Sequence, residues 1–323
     1  MAGAQNDRQL LATALRLSDA YDQPRLVFRI EDGVEPIAVI NIYRHSRFPD
    51  QKVHCIHCNG QRHGKGFTAL LTDGNRALFG STCGSEFFGR SWEDREAEFR
   101  NQLDRQYELR RIERAKMIAA PLRGGLRSWR LPLERLDAVL RSFERTLPEM
   151  WAGLSAAHHA RFDRLTLPER IRDHATEALK DGAGARWIVV EKAYAAMAGG
   201  GIFEVQSIVS GREQAVEALT DYEAVFNATD GRPTSDLKAK RQRLERSLGA
   251  LERAFALRSN AAAFFVGRNL AVVAEWHRRR TGEVVAAANG RLSSVAGASV
   301  GLHTVPDLPV EPIELAREFR RDD

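Results

Sequence analysis

All three cysteines of this 323-residue chain lie between positions 55 and 83, and that concentration constrains the fold more than any other feature. An odd number of thiols, two of them only three positions apart, makes no disulfide framework. The same spacing in a reducing compartment points to metal or redox chemistry. The stretch "VHCIHCNGQRHGKGF", Val53 to Phe67, adds His54, His57 and His63. If these side chains meet at one ion, the chain must turn tightly after Cys58 and return to present Cys83.

The rest of the composition is that of a globular protein: 43% of residues are apolar, enough to build cores without disulfides. The N-terminal stretch has no apolar core of signal-peptide length, and no run approaches the eighteen apolar residues of a membrane span, so a cytoplasmic protein is expected. Forty-eight Lys plus Arg against forty-three Asp plus Glu leave a net charge of +5, compatible with a polyanionic partner. The dominance of Arg and Ala reads equally as the bias of a GC-rich bacterial genome.

The patterns imply an α+β, predominantly α chain: an N-terminal helix (1–20), a small β-rich zinc-finger domain (21–90), a helical domain with a long coiled-coil-like helix (91–290) and a Pro-containing tail (291–323). Within 7–19, Leu10, Leu11, Leu15 and Leu17 follow helical spacing. The β-rich runs 25–30 and 36–43 flank Asp32-Gly33, and "FTALL" and "RALFG" flank Asp73-Gly74, which predicts two hairpins. Beyond Ser91 the signals are helical almost without break. A helix from Trp92 is expected to stop before Pro121, with Gly124 and Gly125 in a break between helices. The apolar stripe Leu133, Leu136, Leu140, Phe143 marks a second helix. Thr166 with Glu169, and Ser210 with Glu213, read as capping boxes, the first opening a helix that ends near Gly182. Over 237–280 a single long helix is predicted, its Leu237, Leu244, Leu248, Leu251 and Phe255 spaced as a coiled-coil seam that suits a homo-oligomer or a helical protein partner. Gly199–Gly201 suggests a close backbone approach or a helix-to-strand switch.

Cys55-x2-Cys58 followed by Asn59-Gly60 has the form of a zinc knuckle, since Asn and Gly tolerate the left-handed angles of the tight turn. A hairpin follows, and "GSTCGSEFFG" then places Cys83 at a helix start, where backbone amides favour a thiolate. Knuckle, hairpin and helix-start ligand resemble the treble-clef class of zinc fingers over roughly residues 53–90. In that class the helix supplies two ligands, which brings Glu86 forward as the fourth. Cys55-x2-Cys58-x4-His63 matches instead the first three positions of a CCHC knuckle, although Thr68 stands where that knuckle has its last Cys. His63 is favoured over Glu86, because imidazole suits zinc better than a lone carboxylate beside three thiolates. Such a ligand set is closed, and the Zn2+ it implies is structural.

No phosphate-binding Gly-rich loop, nucleophile elbow or His-Glu-x2-His pattern is present. His158 and His159 suit solvent-facing or capping roles. Basic residues interleave with aromatics in the finger region, where Arg62, Lys65 and Arg76 are candidates for phosphate contact. A second basic stretch, 110–130, holds seven basic residues and one acidic: Arg110, Arg111, Arg114, Lys116, Arg123, Arg127 and Arg130 against Glu113. The expectation is therefore a zinc-finger protein that binds nucleic acid, DNA above RNA, without catalysis of its own. A zinc-stabilised adaptor or oligomeric scaffold, and a nuclease or other enzyme with a dispersed site, stand as alternatives.

Overall fold

The computed structural model describes residues 6–44, 48–50, 52–58, 63–161, 163–173, 187–204, 208–302 and 305–321. It is a mixed, largely helical chain that divides into two compact units, 1–116 with 224–239 and 117–223 with 240–323. These units cut across the boundaries expected at 90 and 290.

The first unit opens with helix α1 (Asp7–Ala12), much shorter than the predicted 7–19. Leu15 leaves the helix because residues 16–17 form strand β1 (Arg16–Leu17), parallel to β3 (Pro36–Arg44). Strand β2 is only Leu26–Val27. With β4 (Lys65–Leu71) and β5 (Arg76–Gly80) these make a five-stranded sheet in the order β1-β3-β4-β5-β2. The first predicted hairpin is thereby corrected. Gly33 does adopt the positive φ of a turn, but β2 pairs in parallel with β5 while β3 pairs with β4. Local turn chemistry was legible there; the choice of partner was not. The second hairpin forms as read, its Asp73 carboxylate accepting from the Asn75 amide at 2.9 Å and its Gly74 at positive φ.

Helix α2 (Cys83–Phe88) follows, then α3 (Arg90–Ser128). Pro121 lies inside α3 and does not end it, contrary to the expected stop, and Gly124 and Gly125 are helical too. Buried Ala119, Leu122 and Leu126 flank the proline, so packing outweighs the hydrogen bond it removes. In the first unit Trp92 packs on Phe67, Phe79 and Phe88, with Phe79 closest at 4.8 Å between ring centres. Arg105 ties α1 to α3, its guanidinium meeting both Asp7 carboxylate oxygens at 2.7 Å.

In the second unit, α4 (Arg130–Thr146) buries Leu133, Leu136, Leu140 and Phe143, as the stripe predicts. With α5 (Pro148–Arg161) it builds an aromatic core in which Phe143 meets Trp151, Phe264 and Phe265 at 5.2, 5.7 and 6.2 Å. The Thr166 capping box is overturned: 164–172 is strand β6 (Arg164–Arg172), paired along its length with β7 (Trp187–Ala196). A Thr-x2-Glu pattern fits a helix start, but a ten-residue partner strand downstream satisfies the backbone instead. The predicted end near Gly182 falls outside the described residues. Gly199, at positive φ, precedes a 3-10 turn (Gly200–Phe203); a side chain at Gly199 would collide with the Asn260 carbonyl and the Phe264 backbone, the close approach expected of these glycines.

Helix α6 (Ile208–Glu223) contains the second predicted box rather than beginning at it. The long helix expected over 237–280 is two, α7 (Thr234–Phe264) and α8 (Gly267–Thr281). Asn269 explains the break, donating to the Phe264 carbonyl at 2.8 Å and so closing the end of α7. The predicted seam is spent inside the chain: Leu237, Leu244, Leu248 and Leu251 are fully buried, and Phe255 stacks on Trp129. These leucines are covered by the chain itself. The presumed tail is also structured. Strands β8 (Ala286–Ala288), β9 (Arg291–Ser293) and β10 (Ser299–Gly301) form a small sheet, and α9 (Glu311–Arg320) buries Ile313, Ala316 and Phe319. Among the described residues no helix is long and apolar enough to cross a membrane.

Candidate metal centre

The three thiols converge in the first unit. Cys55 and Cys58 stand in the turn that crosses the end of β5, where the Ile56 amide donates to the Leu78 carbonyl at 3.0 Å. Cys83 begins α2, immediately after that strand. All three sulfur atoms lie within 4.8 Å of one another, close to the roughly 3.8 Å between sulfurs sharing a tetrahedral zinc at about 2.3 Å. Cys55 is buried, Cys83 partly so, and Cys58 faces solvent.

Backbone donors aim at the cluster. The Gly80 amide points to Cys55 Sγ at 3.5 Å. Burial works against ionising Cys55, but the amides of Cys58, Gly80 and His57 and the Cys83 thiol together bring it below the ordinary thiol range. Cys83 goes the other way. Burial, the hydrogen bond to Cys55 and the charge of Cys55 push it up to about 12. Three thiols this close cannot all ionise without a compensating cation, so the cluster has the electrostatics of a cation site.

Neither expected fourth ligand belongs to this three-thiol group. Glu86 points away: its side chain is 60% exposed and meets His57 Nε2 at 3.6 Å. His63 is nearer. A bridge between Val53 and His63, with the Val53 amide donating to the His63 carbonyl at 3.0 Å, holds His63 beside Val53 at the cysteine turn. A Cβ placed on Gly80 would be 3.4 Å from Cys83 Sγ and 3.5 Å from His63 Nδ1, so both atoms border the space that this glycine leaves open. Tyr43 fixes the ring. Its hydroxyl donates to the Phe79 carbonyl at 3.1 Å and lies 2.6 Å from His63 Nε2. One hydroxyl proton cannot serve both; in the tautomer whose Nε2–H donates to Tyr43, the Nδ1 lone pair would face the Cys83 side. Burial lowers the His63 pKa, which keeps the ring neutral, and burial likewise raises that of Tyr43. Tyr43 and Gly80 are site residues that spacing rules do not find; only the inward alternation of β3 pointed at Tyr43. Asn59, Gly60 and Arg62 lie outside the described residues.

The basic candidates are divided between the two units. Lys65 is exposed at the start of β4, opposite Arg44, and Arg76 is half-buried at the start of β5. Arg110 and Arg127 are exposed and Arg114 half-buried, whereas Arg111 is buried, 1% exposed. Lys116 pairs with Glu113 at 2.6 Å, Arg130 with Glu134 at 2.9 Å, and Arg123 with Glu223. Residues 110–116 and 123–130 also fall in different units. Aromatic side chains do gather at the cysteine turn: Phe28 lies edge-on to His54 at 5.8 Å, Tyr21 accepts from the His54 amide at 2.9 Å, and Phe87 lies edge-on to His57 at 5.3 Å. His158, expected to be solvent-facing or capping, is mostly buried between Asp163 (2.7 Å) and Glu204 (3.3 Å), and these carboxylates outweigh burial to raise its pKa. Compared with known protein families, curated proteins and solved structures, the chain matches none.

Proposed function

We propose that the N-terminal unit is a zinc-stabilised module of the treble-clef kind that binds nucleic acid and has no catalysis of its own. Cys55, Cys58, Cys83 and His63 Nδ1 would hold the ion, which supplies cross-linking of the turn, the hairpin and α2. That set is closed, so no open position remains for a reacting water.

The observation that carries the binding reading is the ring of exposed aromatics around the thiols. Tyr21, Phe28 and Phe87 are 40%, 56% and 45% exposed, and His54 and His57 flank Cys55 within the turn itself. Rings of this kind stack on unpaired bases, while Lys52, Lys65 and Arg44, exposed in the same unit, suit phosphates. A metal-held turn gives such rings a fixed spacing at little entropic cost.

Two measurements test this. Metal analysis of the purified chain should give one zinc per chain, with Cys83→Ser losing it and His63→Ala weakening it far more than Glu86→Ala. Binding to single-stranded oligonucleotides should be salt-dependent and fall about tenfold for each of Phe28→Ala and Phe87→Ala, in line with about 1–3 kcal/mol per stacked base. Affinity indifferent to both salt and these rings defeats the reading.

A further inference from the structure

The hairpin of β6 and β7 stands exposed on both faces for most of its length, and its register sorts the side chains. Arg172 is opposite Trp187 and Arg170 opposite Val189, so these four share one face; Ile171 with Ile188 and Glu169 with Val190 share the other. The second face is neutralised by the Glu169–Lys192 ion pair at 2.9 Å. The first carries the more exposed apolar side chains. Trp187 is 53% and Val189 64% exposed, with both arginines exposed beside them. The next acidic group on that face, Glu191, is engaged by the Thr166 hydroxyl at 2.5 Å and by Arg280 at 3.3 Å, which brings a third guanidinium to the same side. Arg279, one residue earlier on α8, lies over the Tyr194 ring at 5.3 Å near the base of the arm.

A two-stranded ribbon with an exposed indole is marginal by itself and gains from a partner. A second copy of this face is disfavoured, because stacking two such ribbons opposes arginine to arginine. A polyanion with flat rings satisfies both features at once: phosphates meet Arg170 and Arg280, and a base stacks on Trp187. We propose that this β-arm is a second nucleic-acid contact of the chain, a single-strand stacking site centred on Trp187. The proposal rests on the nucleic-acid reading above but uses residues of the other unit, where the sequence alone suggested a helix.

The indole supplies its own probe. Of the five tryptophans, Trp92, Trp129 and Trp276 are buried and Trp151 half-buried, so Trp187 is the most exposed. Oligothymidylate added to the full chain at low salt should quench fluorescence, and Trp187→Phe should remove most of that change. Trp187→Ala should weaken binding about tenfold. Arg170→Glu should weaken it and flatten its salt dependence. Oligothymidylate bound equally by the parent, Trp187→Ala and Arg170→Glu overturns the arm while sparing the finger. Loss in the arm variants with no effect of Phe28→Ala or Phe87→Ala supports the arm and overturns the finger surface; no binding by any variant overturns both. A doubled mass in light scattering that Trp187→Ala halves would mean a second copy covers the face, and also overturns the proposal.

Discussion

The sheet around the thiols and the helical second unit both rest on aromatic packing, but the cysteines sit on the first alone. Beneath the cysteine turn lies a small cluster, Ala20, Tyr43, Val53 and Leu78, edged by Leu17 and Leu26. In the second unit Phe143 alone touches four other aromatic rings, and Trp129, Trp276 and Tyr222 are fully or almost fully buried nearby in the chain's helices. Small cores of this kind commonly need a staple, and larger ones do not. Every cysteine lies beside this small cluster, where a bound ion would cross-link the turn, the hairpin and α2.

The comparison can be broken most decisively by removing the proposed ion. Chelation, or Cys55→Ser, should unfold the 53–90 region, since structural zinc contributes about 10–16 kcal/mol of apparent binding energy to such folds. Hydrogen exchange should then show β4 and β5 deprotected and α4 unchanged; equal protection with and without chelator would refute a metal-dependent sheet. Phe143→Ala is the mirror experiment. It should cost about 3–5 kcal/mol by denaturant unfolding and leave the zinc content untouched.

Tyr43→Phe tests the bond between sheet and site. Losing the partner of His63 Nε2 should weaken metal affinity roughly 10–100-fold while the fold persists. Competition with a zinc chromophore measures this, and an unchanged affinity would show that His63 is not a ligand. An effect of comparable size is expected at Asp7. Burial raises its pKa, but the Arg105 guanidinium and the surrounding donors win and hold it below the ordinary 3.8. Its contribution is thus present above that value and lost as pH falls through the lowered one. Asp7→Asn should remove about 1.5–3 kcal/mol at neutral pH and shrink the acid loss of stability below pH 4, read by unfolding curves at the two pH values.

Some of this was legible because it depends on neighbours in the chain. The Asp73-Gly74 hairpin, the stripe of α4 and the Arg278–Arg280 end of α8 before Gly282, which adopts positive φ, are set by local backbone preference and period. Thr166-x2-Glu169 failed for a complementary reason: the same short pattern fits a helix start and a strand, and the partner that decides lies beyond residue 186. Pro121 failed likewise, outvoted by burial of Leu122 and Leu126.

The sequence by itself determined that three thiols and a histidine at knuckle spacing could share an ion, because ligand chemistry and turn geometry are carried by residues close in the chain. It also determined that the chain is largely helical. Only the tertiary structure decided that Glu86 turns to His57, that Tyr43 orients His63, that the leucine seam is buried within the chain, and that residues 164–196 include an exposed arm. Each of those rests on contacts between segments far apart in sequence, where pairing and burial select one of several conformations that local preference permits.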